Sequence, residues 1–420
     1  MKKVIQEIIC RSMREILRRF EANSEKYPYI DTKFDIVSNR DFGMVDEPFR
    51  RRECIYSWIQ GRGLESIAKH IGFFRKNGDG DLADRLQEML RTVAMQMEKL
   101  RRQNCGRLPF AMTPQGISFF AQESSHANYS DLFYSKGLFA ASQILDDPDL
   151  EREAEKLFSF VLEEIRQGLF HTDQQCFDPK NKVAYIPGKF PQGPKMIALG
   201  GLADWISAKP EETRWADTAE QFIRFIFEHH INRGQYRSCQ LWDFIESVDA
   251  EKKPWYDKDQ LFCDPGHALE FTGLAGKCLS VLKQQGRKSD LIKEAGNILP
   301  QVFIHIFDRG FNNFAGGICK GFDLASGTVL NSDMPWWSLP ETVRAGAKIA
   351  ELYPGNHTPQ VLIRTGQAFQ AFVQGFLQPN GFGCQTRDKD GRIINVIPAV
   401  SDADPGYHTN LSLLDVLEIL

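Results

Sequence analysis

The chain has no apolar run of membrane-spanning length, and its start, Met1-Lys2-Lys3-Val4-Ile5-Gln6-Glu7, turns polar too early for a secretory signal. It has no excess of charge. The 51 Lys and Arg against 55 Asp and Glu leave a net charge of -4, which gives no electrostatic pull toward nucleic acid or an anionic membrane. It also lacks paired metal-ligand motifs. Nine cysteines, at 10, 54, 105, 176, 239, 263, 278, 319 and 384, are spread singly without a CxxC, and there is no HExxH or EF-hand pattern. The expectation is a cytoplasmic protein with reduced thiols, working without a metal or cofactor. Gly273-Leu274-Ala275-Gly276-Lys277 contains a GK pair, but it lacks the strand, spacing and Ser/Thr of a phosphate loop.

Amphipathic helical patterning, by contrast, runs from end to end. Hydrophobic content of 42% and charged content of 25% suit a globular chain with a sizeable core. The periodicity predicts helices near 1–22, 55–73, 80–102, 131–145, 149–168, 194–207, 211–231, 265–284, 288–306, 337–352, 357–377 and 409–419. No Pro/Gly/Ser linker divides them, so residues 1–420 read as one catalytic domain. Short turns such as Asp146-Asp147-Pro148 and Gly355-Asn356-His357 join pairs into antiparallel hairpins. The pieces between pairs (173–186, 234–248, 310–330 and 381–397) are rich in Gly, Asp, Asn and aromatics, with hairpin turns at Phe314-Ala315-Gly316-Gly317 and Lys389-Asp390-Gly391-Arg392. Six helical hairpins with long loops at one end describe an all-α fold, the (α/α)6 barrel. The basic runs Arg50-Arg51-Arg52 and Arg101-Arg102 read as solvated helix faces.

Asp264-Pro265-Gly266-His267-Ala268-Leu269-Glu270 is a helix start built around a histidine, with Asp as N-cap and Pro at the first helical position. The helix N-terminus is expected to keep the His267 ring neutral, the form that accepts a proton, and Glu270 lies one turn along the same face. Asp404-Pro405-Gly406-Tyr407-His408 repeats the device. Two poised histidines suggest proton transfer from two sides of one substrate. His229-His230 looks like a ligand pair, but neighbours in a helix face different ways, so a helix C-terminus is expected there. His70, His126, His171, His305 and His357 are read as surface or core residues.

With Trp58-Ile59-Gln60-Gly61-Arg62, Tyr129-Ser130-Asp131-Leu132-Phe133-Tyr134, Pro265-Gly266-His267-Ala268-Leu269-Glu270, Trp336-Trp337 followed by Glu341, and Gly406-Tyr407-His408, the chain resembles the N-acylglucosamine 2-epimerase superfamily. The motifs stand in the family's order. The resemblance implies an (α/α)6 barrel that handles a reducing sugar without a metal. It implies His267 and His408 as catalytic histidines, Glu270 as the acid after the first, and Arg62 as the arginine near the carbonyl end of the sugar. The chain departs from the family's pattern in three places: Thr409-Asn410-Leu411 after the last histidine, Ser338-Leu339-Pro340 after the Trp pair, and Lys195-Met196-Ile197-Ala198-Leu199-Gly200 without His or Glu. These departures weigh against a cellobiose epimerase.

Removing a proton beside a sugar carbonyl needs a positioned base and stabilisation of the developing enediolate. Arg62 can donate two hydrogen bonds to that oxygen, and Glu270 can orient His267 or bind a hydroxyl. Trp58, Trp336 and Trp337 offer apolar faces, while Gln60, Tyr129, Asp131 and Glu341 can bind hydroxyls. Return of the proton to C2 from the other face gives an epimer, and return to C1 gives a ketose. The expected function is a sugar 2-epimerase or aldose–ketose isomerase on a free monosaccharide of N-acylglucosamine/mannosamine or mannose type, with a homodimer as the candidate assembly. The alternatives are a glycoside hydrolase, with Asp131, Asp243, Glu246 and Asp264 as candidate carboxylates, and a non-catalytic carbohydrate-binding homologue.

Overall fold

The computed structural model describes residues 1–120, 125–172, 185–397 and 402–420, so most of the turn-rich segment 173–186 lies outside the described residues. Twelve α-helices occur among the described residues, each close to a span that the periodicity predicts. None of these helices is long and apolar enough to cross a membrane. The chain forms two compact units. The first is Met1–Tyr185 with Gln378–Phe382 and Ala399–Leu411; the second is Ile186–Leu377 with Gly383–Pro398 and Ser412–Leu420.

The first unit contains α1 (Lys2–Asn23), α2 (Ser57–Lys76), α3 (Gly80–Gln103), α4 (Tyr129–Leu145) and α5 (Pro148–Gln167). α2 and α4 bury residues on nearly every face, whereas α1, α3 and α5 bury one stripe each. A helix buried all round belongs to an inner layer, and a one-sided helix covers it. α2 and α4 meet at two glycines, because a Cβ on Gly61 would lie 2.7 Å from the backbone of Phe133 and Tyr134. α4 starts at a reciprocal capping box between Asn128 and Asp131. α5 starts at Asp147 and Pro148 and ends at Gly168 in the left-handed region. Arg101 is not on a solvated face: it is buried, with Glu98 at 2.7 Å and Glu153 at 2.7 Å.

The second unit contains α6 (Gly193–Ala208), α7 (Thr213–His229), α8 (Pro265–Gln284), α9 (Ser289–Gly310), α10 (Ser338–Leu352), α11 (Thr358–Ala371) and α12 (Ser412–Leu417). The same alternation recurs. α6, α8 and α10 are buried on most faces, while α7, α9 and α11 present one apolar side. α8 packs against α6, α9 and α10, and α10 against α11 and α12. Short antiparallel ribbons decorate the helix starts. Phe190–Pro191 pairs with Ser247–Val248, and Phe262–Cys263 pairs with Gly321–Asp323. The turn expected at Phe314-Ala315-Gly316-Gly317 joins Phe311–Asn312 to Gly317–Ile318, and the one at residues 389–392 is closed by Asp388 and Arg392. The last helix starts later than expected: Tyr407–Leu411 forms a wider π-type turn, held from below by the Asp404 carboxylate.

Candidate active site

In the second unit, Asp264 caps α8 as the sequence implies. Its Oδ1 accepts from the backbone of Gly266 at 2.9 Å and His267 at 3.3 Å, and Pro265 occupies the first turn. This fixes the His267 backbone in the first turn of a long helix. The ring is fixed by three further contacts. Nδ1 lies 2.9 Å from Glu246 Oε1 and 3.4 Å from Asp264 Oδ2, and one face stacks on Trp337 with centroids 5.4 Å apart. Gly266 makes that stack feasible, since a Cβ there would fall 2.7 Å from the Trp337 ring. Lys320 completes the group, bonding Asp264 Oδ2 and standing 5.3 Å over Trp337.

The charge on the ring differs from the expectation. Burial pulls the His267 pKa down, but the Asp264 and Glu246 carboxylates outweigh it and hold the pKa up at about 9. Two full negative charges within 3.4 Å exceed the partial positive charge of a helix end, so imidazolium is favoured at neutral pH. Asp264 is shifted the other way: burial raises it, and His267 and Lys320 bring it below the usual carboxylate range. The orienting place given to Glu270 is taken by Glu246, 21 residues upstream of the histidine. A carboxylate on Nδ1 leaves Nε2 as the working nitrogen.

Glu270 and Glu341 are both buried in this unit, and Glu341 is held by Arg344 at 3.2 Å. A further polar group has no counterpart in the sequence reading. Gln192, the residue before α6, is fully buried, and its backbone N–H donates to the Glu246 carbonyl. Among the described residues, neither polar atom of its side chain has a hydrogen-bond partner, and the same is true of Glu246 Oε2 and Ser247 Oγ. Buried amide and carboxylate atoms left unpaired are costly. The Gln-Gly-Pro helix start at 192–194 was the available signal in the sequence.

In the first unit, Arg62 on α2 places its guanidinium 4.1 Å from the Phe133 ring centre and 5.2 Å from that of Tyr407. Tyr407 meets His408 edge to face at 5.0 Å and accepts from Lys136 at 2.7 Å, and Lys136 pairs with Glu65 at 3.2 Å. Arg62 and His408 are therefore joined through one phenol that is itself pinned by a buried lysine. Trp58 stands beside Tyr129 at 5.4 Å and Phe133 at 5.7 Å, an aromatic wall.

Two expected sugar ligands are committed elsewhere. Both polar atoms of the Gln60 amide bond the Ile30 backbone, at 2.9 and 3.1 Å, so it pins a loop. Asp131 is spent on the capping box and on Arg107, whose Nε is 3.0 Å away. Among the hydrolase candidates, Asp243 is fully buried between His305 and Arg309. Asp264 is occupied by its helix and Lys320.

A model of the family described as N-acylglucosamine 2-epimerase (GlcNAc 2-epimerase) matches residues 86–409. Comparison with curated proteins yields no match. Among solved structures, the chain is similar to a D-mannose isomerase at 14% identity, covering 100% of this chain and 98% of that one, with a TM-score of 0.70. It is similar to a sugar epimerase from a ruminal bacterium at 12% identity, covering 99% and 98%, with a TM-score of 0.71. A cellobiose 2-epimerase from Bacillus thermoamylovorans B4167 matches at 11% identity, covering 100% of both chains, with a TM-score of 0.70. The fold is thus all-α, the (α/α)6-barrel class expected from the sequence.

Proposed function

Since the chain belongs to the N-acylglucosamine 2-epimerase family, and so to the carbohydrate isomerases and epimerases, we propose that it moves the proton at C2 of a free aldose through His267. The observation that carries this reading is the seating of His267: Nδ1 on Glu246, one face on Trp337 and the backbone in a capped helix start. A ring held this way presents Nε2 to a substrate carbon without paying to reorient at the moment of transfer. In this reading Nε2 takes the C2 proton, and the imidazolium so formed offsets the enediolate charge. The hydroxyls are read by Gln192, Glu270 and Glu341. Capture of Asp131, Asp243 and Asp264 by cations and helix ends disfavours the paired-carboxylate hydrolase.

The test is incubation of mannose, glucose, N-acetylmannosamine, N-acetylglucosamine and sulfoquinovose with the protein in heavy water. Deuterium entering at C2 of one of them, with its epimer or ketose as product, is the expected result. Reducing ends released from glycosides, with no C2 exchange, would sink the reading.

The raised pKa gives a second expectation. With a pKa of about 9, only about 1% of His267 is the neutral base at pH 7, so kcat/KM should climb with pH toward that value. Glu246→Gln removes one of the two charges and should move the limb to lower pH by about one unit or more, with a lower plateau from poorer orientation. An unmoved limb in a folded variant would separate Glu246 from the chemistry. Stability follows the same sign. The folded pKa lies above the ordinary value near 6.5, so the contribution of the imidazolium is complete below about pH 6.5 and is lost as pH rises through about 9.

A further inference from the structure

The second unit holds another charged cluster, which proton transfer at His267 does not use. Lys195 lies in the first turn of α6, where the partial positive charge of the helix end disfavours a cation. Its Nζ stands 4.2 Å from the centre of the Phe225 ring. Lys252 brings a second ammonium to 5.4 Å from the same ring and 5.1 Å from Phe190. The rings of His229 and His230 flank Phe225 at 4.8 and 5.8 Å. Two ammonium groups and two imidazoles thus gather round one phenylalanine.

Among the described residues, no carboxylate pairs with either lysine. Burial, and then Lys252, act on Lys195, and both lower its pKa, to about 8. Glu228 lies 3.8 Å from His229, and the Asp249 carboxylate accepts from the backbone of Glu251 and Lys253. An aromatic face gives each ammonium a partial negative charge but does not cancel their mutual repulsion. The His230 Nδ1 donates to the Ile245 carbonyl at 2.8 Å, which leaves Nε2 as a buried acceptor without a partner among the described residues. A group with ionised oxygens satisfies both lysines, and hydrogen phosphate is such a group.

We propose that Lys195 and Lys252, over the Phe225 ring, bind a phosphate group, as free phosphate or as a phosphate ester. Lys195 is half-buried and Lys252 exposed, so the site is open to solvent. Occupancy would tie the turn at Asp249–Lys253 to α6 and α7. That turn continues from Ser247–Val248, directly after Glu246, so a phosphate here braces the segment that orients His267.

The experiment is thermal melting of the full-length protein against rising inorganic phosphate, with ionic strength held constant by sodium chloride. A saturating rise in Tm is expected for the natural chain, with half-saturation shifted roughly tenfold or more by Lys195→Met and by Lys252→Met. Lys252 is exposed, so Lys252→Met keeps the test intact if Lys195→Met fails to fold. Broadening of the phosphate 31P line, lost in Lys252→Met, is the independent readout. A sugar phosphate runs as a parallel arm: saturation at tenfold lower concentration assigns an ester, and equal or weaker saturation assigns free phosphate. No saturating response in the natural chain, or an identical response in Lys252→Met, overturns the site. Neither readout involves catalysis, so the result is independent of the His267 reading.

Discussion

Replacing His267 by Asn should lower kcat by about a thousandfold, within the range that a positioned acid/base group contributes, and should abolish deuterium entry at C2 of the turned-over sugar. Asn is the informative choice. Its side-chain amide can still donate toward Glu246, so the Asp264–Lys320–Glu246 constellation is not left wholly unbalanced and the helix start stays capped. What disappears is a group able to hold a proton between its two charge states. Steady-state rates with heavy-water exchange measured by NMR are the check, beside a denaturation curve to show that the variant is folded. A folded His267→Asn protein that exchanges C2 at the natural rate would remove the histidine from the reaction. A fall in exchange with unchanged KM would place its role in the transition state.

The second large effect is on stability. In Gly137→Ala, the added methyl would lie 2.1 Å from the Gly61 carbonyl oxygen and 3.0 Å from Leu64 Cβ. These neighbours are the backbone and Cβ of a facing helix, so no flexible side chain can swing away. Alanine gains about 1 kcal/mol in helix propensity, but forcing α2 and α4 apart should cost about 3 kcal/mol or more, and the overlap decides the sign. Arg62 and Phe133 sit beside this contact, so residual folded protein should also show a raised KM. Gly72→Ala, on the same helix α2 with nothing within 4 Å of its added Cβ, is the internal control and should gain up to about 1 kcal/mol. Urea midpoints of the two variants give the answer. A Gly137→Ala protein as stable as the natural chain would mean that the two helices are not locked at this point.

What the sequence made legible, and what it hid, divide along the range of the interactions. The helix start at Asp264 is a local device, complete within four residues, and was readable as such, as was the turn at Asp146-Asp147-Pro148. The alternation of helices also came through, because burial of one face leaves a 3.6-residue period. The charge of His267 did not. Its partner Glu246 is 21 residues away in an irregular segment, and no spacing rule connects them. The partners of Gln60 and Asp131 were hidden for a similar reason. Their partners Ile30 and Arg107 lie 30 and 24 residues away, so both looked available until the folded chain used them. Gln192 is the converse case: an unremarked residue acquires significance because folding surrounds it, with nothing among the described residues for its amide to bond.

The doubly used carboxylate of Asp264 has a consequence for folding. One oxygen finishes the first turn of α8, and the other accepts Lys320, which arrives 56 residues later in the chain. The helix end can be capped as soon as its own segment is made, but the electrostatic setting of His267 is complete only when the following helix and its ribbons have docked. The proton affinity of that one imidazole therefore records assembly of this part of the chain. Its NMR titration during refolding would distinguish a nascent helix, with an ordinary histidine, from the finished unit, with a basic one.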